Sequence, residues 1–95
     1  MPTRVSELLL TLAAIDKLGA RSISISEVRE VPWNGPVMIR DPAAHTTDRR
    51  LLLGKTNGGR CLTLVIEATD EPATWLVISG WESSSRERKI IEGQP

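Results

Sequence analysis

The chain has no phenylalanine and no tyrosine, one cysteine and one histidine among its 95 residues. Each scarcity excludes something. Without Phe or Tyr, the core must be aliphatic, and the three tryptophans, Trp33, Trp75 and Trp81, stand out. For Trp33 and Trp75 the expected role is to cap the ends of a small core. A lone Cys61 forbids an internal disulfide and any multi-cysteine zinc site. It sits in a strand-like run, so a buried, inert thiol is expected. His45 falls in a polar loop, and one histidine with one cysteine makes no nucleophile–base–orienter set. No His/Cys/carboxylate spacing recurs, so no metal and no cofactor is expected. Net charge is also missing: 12 basic residues balance 12 acidic ones, and neither half of the chain departs from neutrality by more than one. Any RNA contact must therefore use a local cluster rather than a global field. No apolar run approaches the roughly 20 residues of a membrane span, and no signal peptide is legible. The expectation is one cytoplasmic domain over 1–95 with a single modest core.

What is present is organised around Arg49 to Glu82, RRLLLGKTNGGRCLTLVIEATDEPATWLVISGWE. Three apolar runs separated by NGG and TDEPA predict a three-stranded antiparallel meander. Asn57-Gly58-Gly59 supplies the tight turn, since Asn and Gly tolerate positive φ. In the returning strand Leu62, Leu64, Ile66 and Ala68 share one face; Cys61, Thr63, Val65 and Glu67 share the other. A turn at Gly58-Gly59 pairs Leu53 with Leu64, Leu51 with Ile66 and Arg50 with Glu67. That register sets opposite charges together, a preference of roughly 0.2–1 kcal/mol. A turn at Asn57-Gly58 shifts the partners but keeps the faces. In the last strand, alternation puts Leu76 and Ile78 on one side and Trp75, Val77, Ser79 and Trp81 on the other. Gly54, Gly58 and Gly59 read as turn glycines, because a strand and not a helix follows them.

Upstream, Val5, Leu8, Leu12 and Ile15 lie on one face of a helix over the first 20 residues, with Gly19 as its stop. The run Glu7 to Thr11 is also short enough to be a strand followed by a shorter helix from Thr11. Ser24-Ile-Ser-Glu27 is a capping box with Ile23 and Val28 as its staple, and Pro32 ends that helix. Val37 to Arg40 predicts a short strand at the sheet edge, and Asp41 to Asp48 a loop. Ser84 and Glu87 form a second capping box, opening a helix over Arg86 to Glu92 that Gly93 closes. The expected fold is α+β: a small antiparallel sheet of three to four strands, two N-terminal helices and a short C-terminal helix.

The basic residues cluster. Arg49, Arg50, Lys55 and Arg60 belong to one hairpin; Arg86, Arg88 and Lys89 belong to the last helix. Arginines converging on one sheet edge can hold phosphates and stabilise charge at a scissile phosphodiester. Glu67, inside an otherwise apolar strand, is the candidate base. The competing reading makes Arg50–Glu67 a structural cross-strand pair and the remainder solvated surface.

The stretch Gly54-Lys-Thr-Asn-Gly-Gly-Arg-Cys-Leu62, followed by Glu67, Thr69, Pro72 and Trp75 and then Ser79-Gly-Trp81, resembles BrnT-type toxins in a divergent, actinobacterial form. Ile23-Ser-x-x-Glu-Val28 and Glu87-Arg88 are similar to that family's helix starts. The resemblance covers about Arg21 to Ile91. It implies a RelE-like fold and a toxin of a toxin–antitoxin pair that cuts RNA without metal. On that reading Arg60, Glu67, Arg88 and Arg21 are the catalytic candidates. Arg49, Arg50, Lys55, Trp81 and Arg86 are the RNA-binding ones, with Trp81 as a stacking platform for a base. The implied partners are a cognate antitoxin protein and an RNA substrate, with a homodimer as a further expectation. The chain departs from the family at Trp81, where an arginine is common, and at Ile91, where a tyrosine is. Those departures point to the alternative, a non-catalytic member that binds protein or RNA.

Overall fold

A computed structural model describes residues 5–44 and 48–93. His45 lies outside these. The chain forms β1 (Glu7–Leu10), α1 (Leu12–Gly19), α2 (Ile25–Glu30), a 3₁₀ turn (Val31–Trp33), β2 (Val37–Arg40), β3 (Arg49–Lys55), β4 (Cys61–Ala68), β5 (Thr74–Glu82) and α3 (Ser85–Glu92). The five strands make one mixed sheet in the order β1-β5-β4-β3-β2. The β2–β3, β3–β4 and β4–β5 pairs are antiparallel, and β1 runs parallel to β5. The architecture is α+β, with more strands than the sequence predicts. No helix among the described residues is long and apolar enough to cross a membrane.

The additional strand comes from the N-terminal segment. Its 3.6-residue periodicity favours one long helix, yet Glu7–Leu10 is a strand registered on Thr74–Val77. Leu8 points into the core at 4% exposure while Leu9 is 42% exposed. Such alternation is the period of a strand. Thr11 then restarts the chain as a helix: its backbone is extended (ψ 164°) and its Oγ1 accepts from the Ala14 N–H at 3.1 Å. That is an N-cap, and only Ala14 and Leu18 of the helix behind it are fully buried. The shorter-helix alternative is the one realised.

The hairpin joining β3 to β4 corrects the expected register. Its loop has three residues, Asn57-Gly58-Gly59, closed by Thr56 N–H to Arg60 O (2.9 Å) and Gly59 N–H to Thr56 O (3.0 Å). Gly59 takes φ +89°, the left-handed residue that a three-residue hairpin needs. Two-residue turns at either place give registers two residues apart; a three-residue loop lies midway. Leu52 therefore faces Leu64, Leu51 faces Val65, and Glu67 pairs with Arg49 instead of Arg50. One residue of slip exchanges the faces of β3. Gly54 also proves not to be a turn glycine. It lies within β3, where a Cβ would stand 2.8 Å from Val31 Cγ1 and 3.0 Å from Pro36 Cβ.

These registers build two apolar layers. On one face α1, the connection after it, α2 and the 3₁₀ turn bring Leu18, Ile23, Val28 and Val31 onto Leu52, Leu62, Leu64, Ile66, Trp75 and Val77. On the other, Ile90 and Ile91 of α3 pack over Leu51, Leu53 and Val65. Central β4 is buried on both sides from Cys61 to Ile66. Cys61 is a buried free thiol, and both capping boxes form as the sequence predicts.

One irregularity sets the stage for the site. The β4–β5 register steps from Val65↔Ser79 to Ile66↔Val77, leaving Ile78 as an extra residue on β5. The bulge reverses the faces beyond it. Trp75 and Val77 remain under α1 and α2, but Trp81 turns to the α3 side, not to the side of Trp75 that unbroken alternation assigns it. Trp75 caps the core as expected (7% exposed), whereas Trp33 does not: it is 80% exposed.

Candidate functional site

At one end of the sheet the α1–α2 connection meets the start of β4 and the end of β5. Leu18 to Ile23 turn back on themselves, with Ile23 N–H donating to Leu18 O at 3.0 Å and Ser22 in the left-handed region at φ +60°. The turn aims carbonyls at Arg60. Arg60 Nη1 donates to Ser22 O at 2.7 Å and to both Glu27 oxygens at 3.1 and 3.2 Å. Nη2 donates to Glu82 Oε1 at 3.2 Å and reaches Arg21 O at 3.5 Å, while Nε donates to Glu82 Oε1 at 3.3 Å. The whole fork is engaged, chiefly with Glu27, and the carboxylates raise its already high pKa. Glu27 is held below the usual carboxylate range, first by the Ser24 backbone N–H and then, against some desolvation, by Arg60.

Beside this clamp, Arg21 Nη1 donates to Gly80 O at 3.0 Å, and its guanidinium carbon lies 6.0 Å from the centroid of the Trp81 ring. The Trp81 Nε1–H in turn donates to Glu87 Oε1 at 3.0 Å. Burial pushes the Glu87 carboxyl up. Hydrogen bonds from the Ser84 N–H, Trp81, Thr63 and the Ser84 hydroxyl outweigh it, and the net shift is downward. Thr63 and Ser83 share a buried hydroxyl–hydroxyl bond of 3.0 Å behind this group. Chemically the corner offers two guanidinia and three carboxylates, with Arg21 the cation not ion-paired to any of them. A base stacking on Trp81 would compete with Arg21 above the ring and with the α3-side cluster against which the ring packs.

The other proposed residues lie elsewhere. Arg49 Nε donates to Glu67 Oε1 at 3.0 Å at the far end of the β3–β4 ladder. Arg50 Nη1 donates to Arg49 O at 2.9 Å there. Glu67 lies seven positions along the chain from Arg60, about 23 Å at the usual strand rise. Lys55 stands at the loop end, opposite Cys61, and Arg86 and Arg88 are exposed on α3. The structure thus joins Arg21, Arg60 and Trp81, and separates them from Arg49, Arg50 and Glu67.

Sequence reasoning missed the carboxylates that engage Arg60. Glu27 was legible as a capping residue, and nothing in the spacing tied it to a residue 33 positions later. It also missed a groove of about 460 Å³ beside the exposed Trp33, lined by Val5, Ser6, Pro32, Pro36, Met38 and Leu52. The indole, two prolines and Met38 give the groove apolar patches, and the rest of its lining, close to half, is polar. Among the described residues, no three His, Cys, Asp or Glu side chains gather as metal ligands would.

Fold and site together define a small α+β domain: a five-stranded mixed sheet with a polar, ion-paired corner at one end and an exposed tryptophan beside a groove of mixed character. Compared with protein-family models, curated proteins and solved structures, the chain matches none.

Proposed function

We propose that this chain is a cytoplasmic BrnT-like, RelE-like domain that acts chiefly by binding a partner protein of the antitoxin kind. The observation that carries this reading is Trp33, 80% exposed and lining a groove of mixed polar and apolar character. A large indole left in water is costly alone and is the residue type most often dominant in interfaces. The separation of Arg60 from Glu67, with each already ion-paired, argues against one catalytic centre containing both. The test is to co-express the chain with the product of the adjacent open reading frame and measure binding by calorimetry. Trp33→Ala should weaken it by roughly 30-fold, a hot-spot loss of about 2 kcal/mol. Undiminished affinity in that variant overturns the reading.

A second reading, metal-independent RNA cleavage, draws on Arg21. Its guanidinium has no carboxylate partner and lies beside Trp81. Controlled induction in a bacterial host separates the two. Growth arrest relieved by Arg21→Ala favours cleavage, and the RNA ends should then be mapped. Arg60→Ala is the poorer probe, because Arg60 holds the fold.

A further inference from the structure

The β2–β3 ladder places Arg40 directly opposite Arg50. Opposed residues of an antiparallel pair share a face, with Cβ atoms about 4.5–5.5 Å apart. Like charges at such positions destabilise the sheet, and the opposite-sign pair Arg49–Glu67 in the next ladder shows the ordinary solution. The two arginines also line one shallow cavity of about 320 Å³ at the sheet edge, with Met38 and Ile39 as its other walls.

Their roles differ. Arg50 is half-buried and anchored: Nη1 donates to Arg49 O at 2.9 Å, and it has further contacts within the fold. Arg40 is exposed at the end of the edge strand, and its side chain makes no hydrogen bond or ion pair with the described residues. Three carboxylates are near in sequence. Glu67 is engaged by Arg49, Asp41 gives Oδ1 to the Ala43 N–H at 3.0 Å, and Asp48 has its own contacts. One arginine is thus fixed and one is movable, over a cavity wide enough for a tetrahedral oxyanion.

We propose that Arg40 and Arg50 form a clamp for a phosphate group, with Arg50 as the fixed jaw and Arg40 as the closing one. An oxyanion between them makes a charge-assisted contact with each guanidinium, and the planar fork suits phosphate. As β2 is an edge strand, its outward main-chain N–H groups can add donors. The phosphate is either the terminal group of a small phosphorylated molecule or a diester of an RNA backbone. The site lies at the opposite end of the sheet from the Arg21–Trp81 corner and does not depend on the reading given above.

The test uses the full chain and follows the arginine Nε–Hε signals by NMR. Inorganic phosphate is titrated at constant ionic strength against a chloride control. The Arg40 and Arg50 signals should shift saturably, and Arg40→Gln should weaken binding roughly tenfold or abolish it. Arg40→Glu puts a carboxylate opposite Arg50 and should remove the response to phosphate. A ribonucleoside 5′-monophosphate and an oligoribonucleotide without terminal phosphate distinguish the two sources by which of them shifts the same signals. The proposal fails if none of these ligands moves the signals beyond the chloride control. It also fails if Arg40→Gln leaves the Arg50 response to phosphate unchanged.

Discussion

Arg60 has the composition of a catalytic cation and the contacts of a structural clamp. Its fork ties the α1–α2 turn, through Ser22 O and Glu27, to the end of β5, through Glu82. Its side chain is 25% exposed, so solvent screens the ion pairs only in part. Arg60→Ala should destabilise the domain by about 1–3 kcal/mol, read as a lower urea midpoint at unchanged m-value. Arg60→Lys should restore little, because an ammonium cannot reproduce a planar fork bonded on several sides. The carboxylates add a pH signature. Glu27 and Glu87 both titrate below the usual carboxylate range in the folded chain. Their contribution to stability is therefore complete above the unfolded value, near about 4.3, and is lost as pH falls through the folded values. Urea midpoints should be flat near neutrality and fall below about pH 4. Glu87→Gln keeps a capping side chain but cannot ionise, so it should flatten part of that fall. An unchanged acid limb in this variant would show that the Trp81–Glu87 contact carries none of it.

At the scale of elements, close approaches decide what the sequence tolerates. Gly80 sits where β5 passes under α1: a Cβ there would stand 2.8 Å from Leu64 Cδ2, 3.0 Å from Leu18 Cδ2 and 3.1 Å from Thr63 O. Gly80→Ala should cost about 1–3 kcal/mol as overpacking, measured by thermal or urea unfolding. An Ala that stabilised instead would mean that α1 moves off the sheet freely. Elements whose signals are local were legible in the sequence. Ser24 with Glu27 and Ser84 with Glu87 begin helices, Pro32 ends one, and Val37–Arg40 lies at the sheet edge. What escaped depends on distant partners or on loop length. For Glu7–Leu10 the spacing left helix and strand both open, and β5 beside it decides for the strand. The register of β3 turned on whether Asn57-Gly58-Gly59 closes as two residues or three. The side taken by Trp81 turned on a bulge at Ile78 that interrupts no apolar pattern. The site suffered for the same reason. Arg21, Arg60 and Trp81 were named as candidates, but their grouping follows from the bulge and the turn at Ser22.

For the whole molecule, the question is whether the charged residues form one functional centre or two independent ends. The meander runs them along strands, and a strand carries charge away from its origin at about 3.3 Å per residue. Arg60 begins the returning strand and Glu67 nearly ends it, so the same β4 that brings Glu67 to Arg49 keeps it from Arg60. Between them lie buried residues from Cys61 to Ile66, which provide no polar relay along the strand face. Sites separated this way, with no shared partner, should behave additively. A double-mutant cycle with Arg60→Ala and Glu67→Gln should therefore give a coupling energy within about 0.3–0.5 kcal/mol of zero for stability. The same cycle applied to Arg60→Ala and Glu27→Gln should give a clear coupling, because those side chains touch at 3.1 Å. If instead Arg60 and Glu67 couple as strongly as Arg60 and Glu27, the two ends communicate through the sheet. Any RNA cleavage found on induction could then draw on both ends. Additive behaviour leaves the Arg21–Trp81 corner and the Arg40–Arg50 edge as separate surfaces, each to be judged by its own ligand.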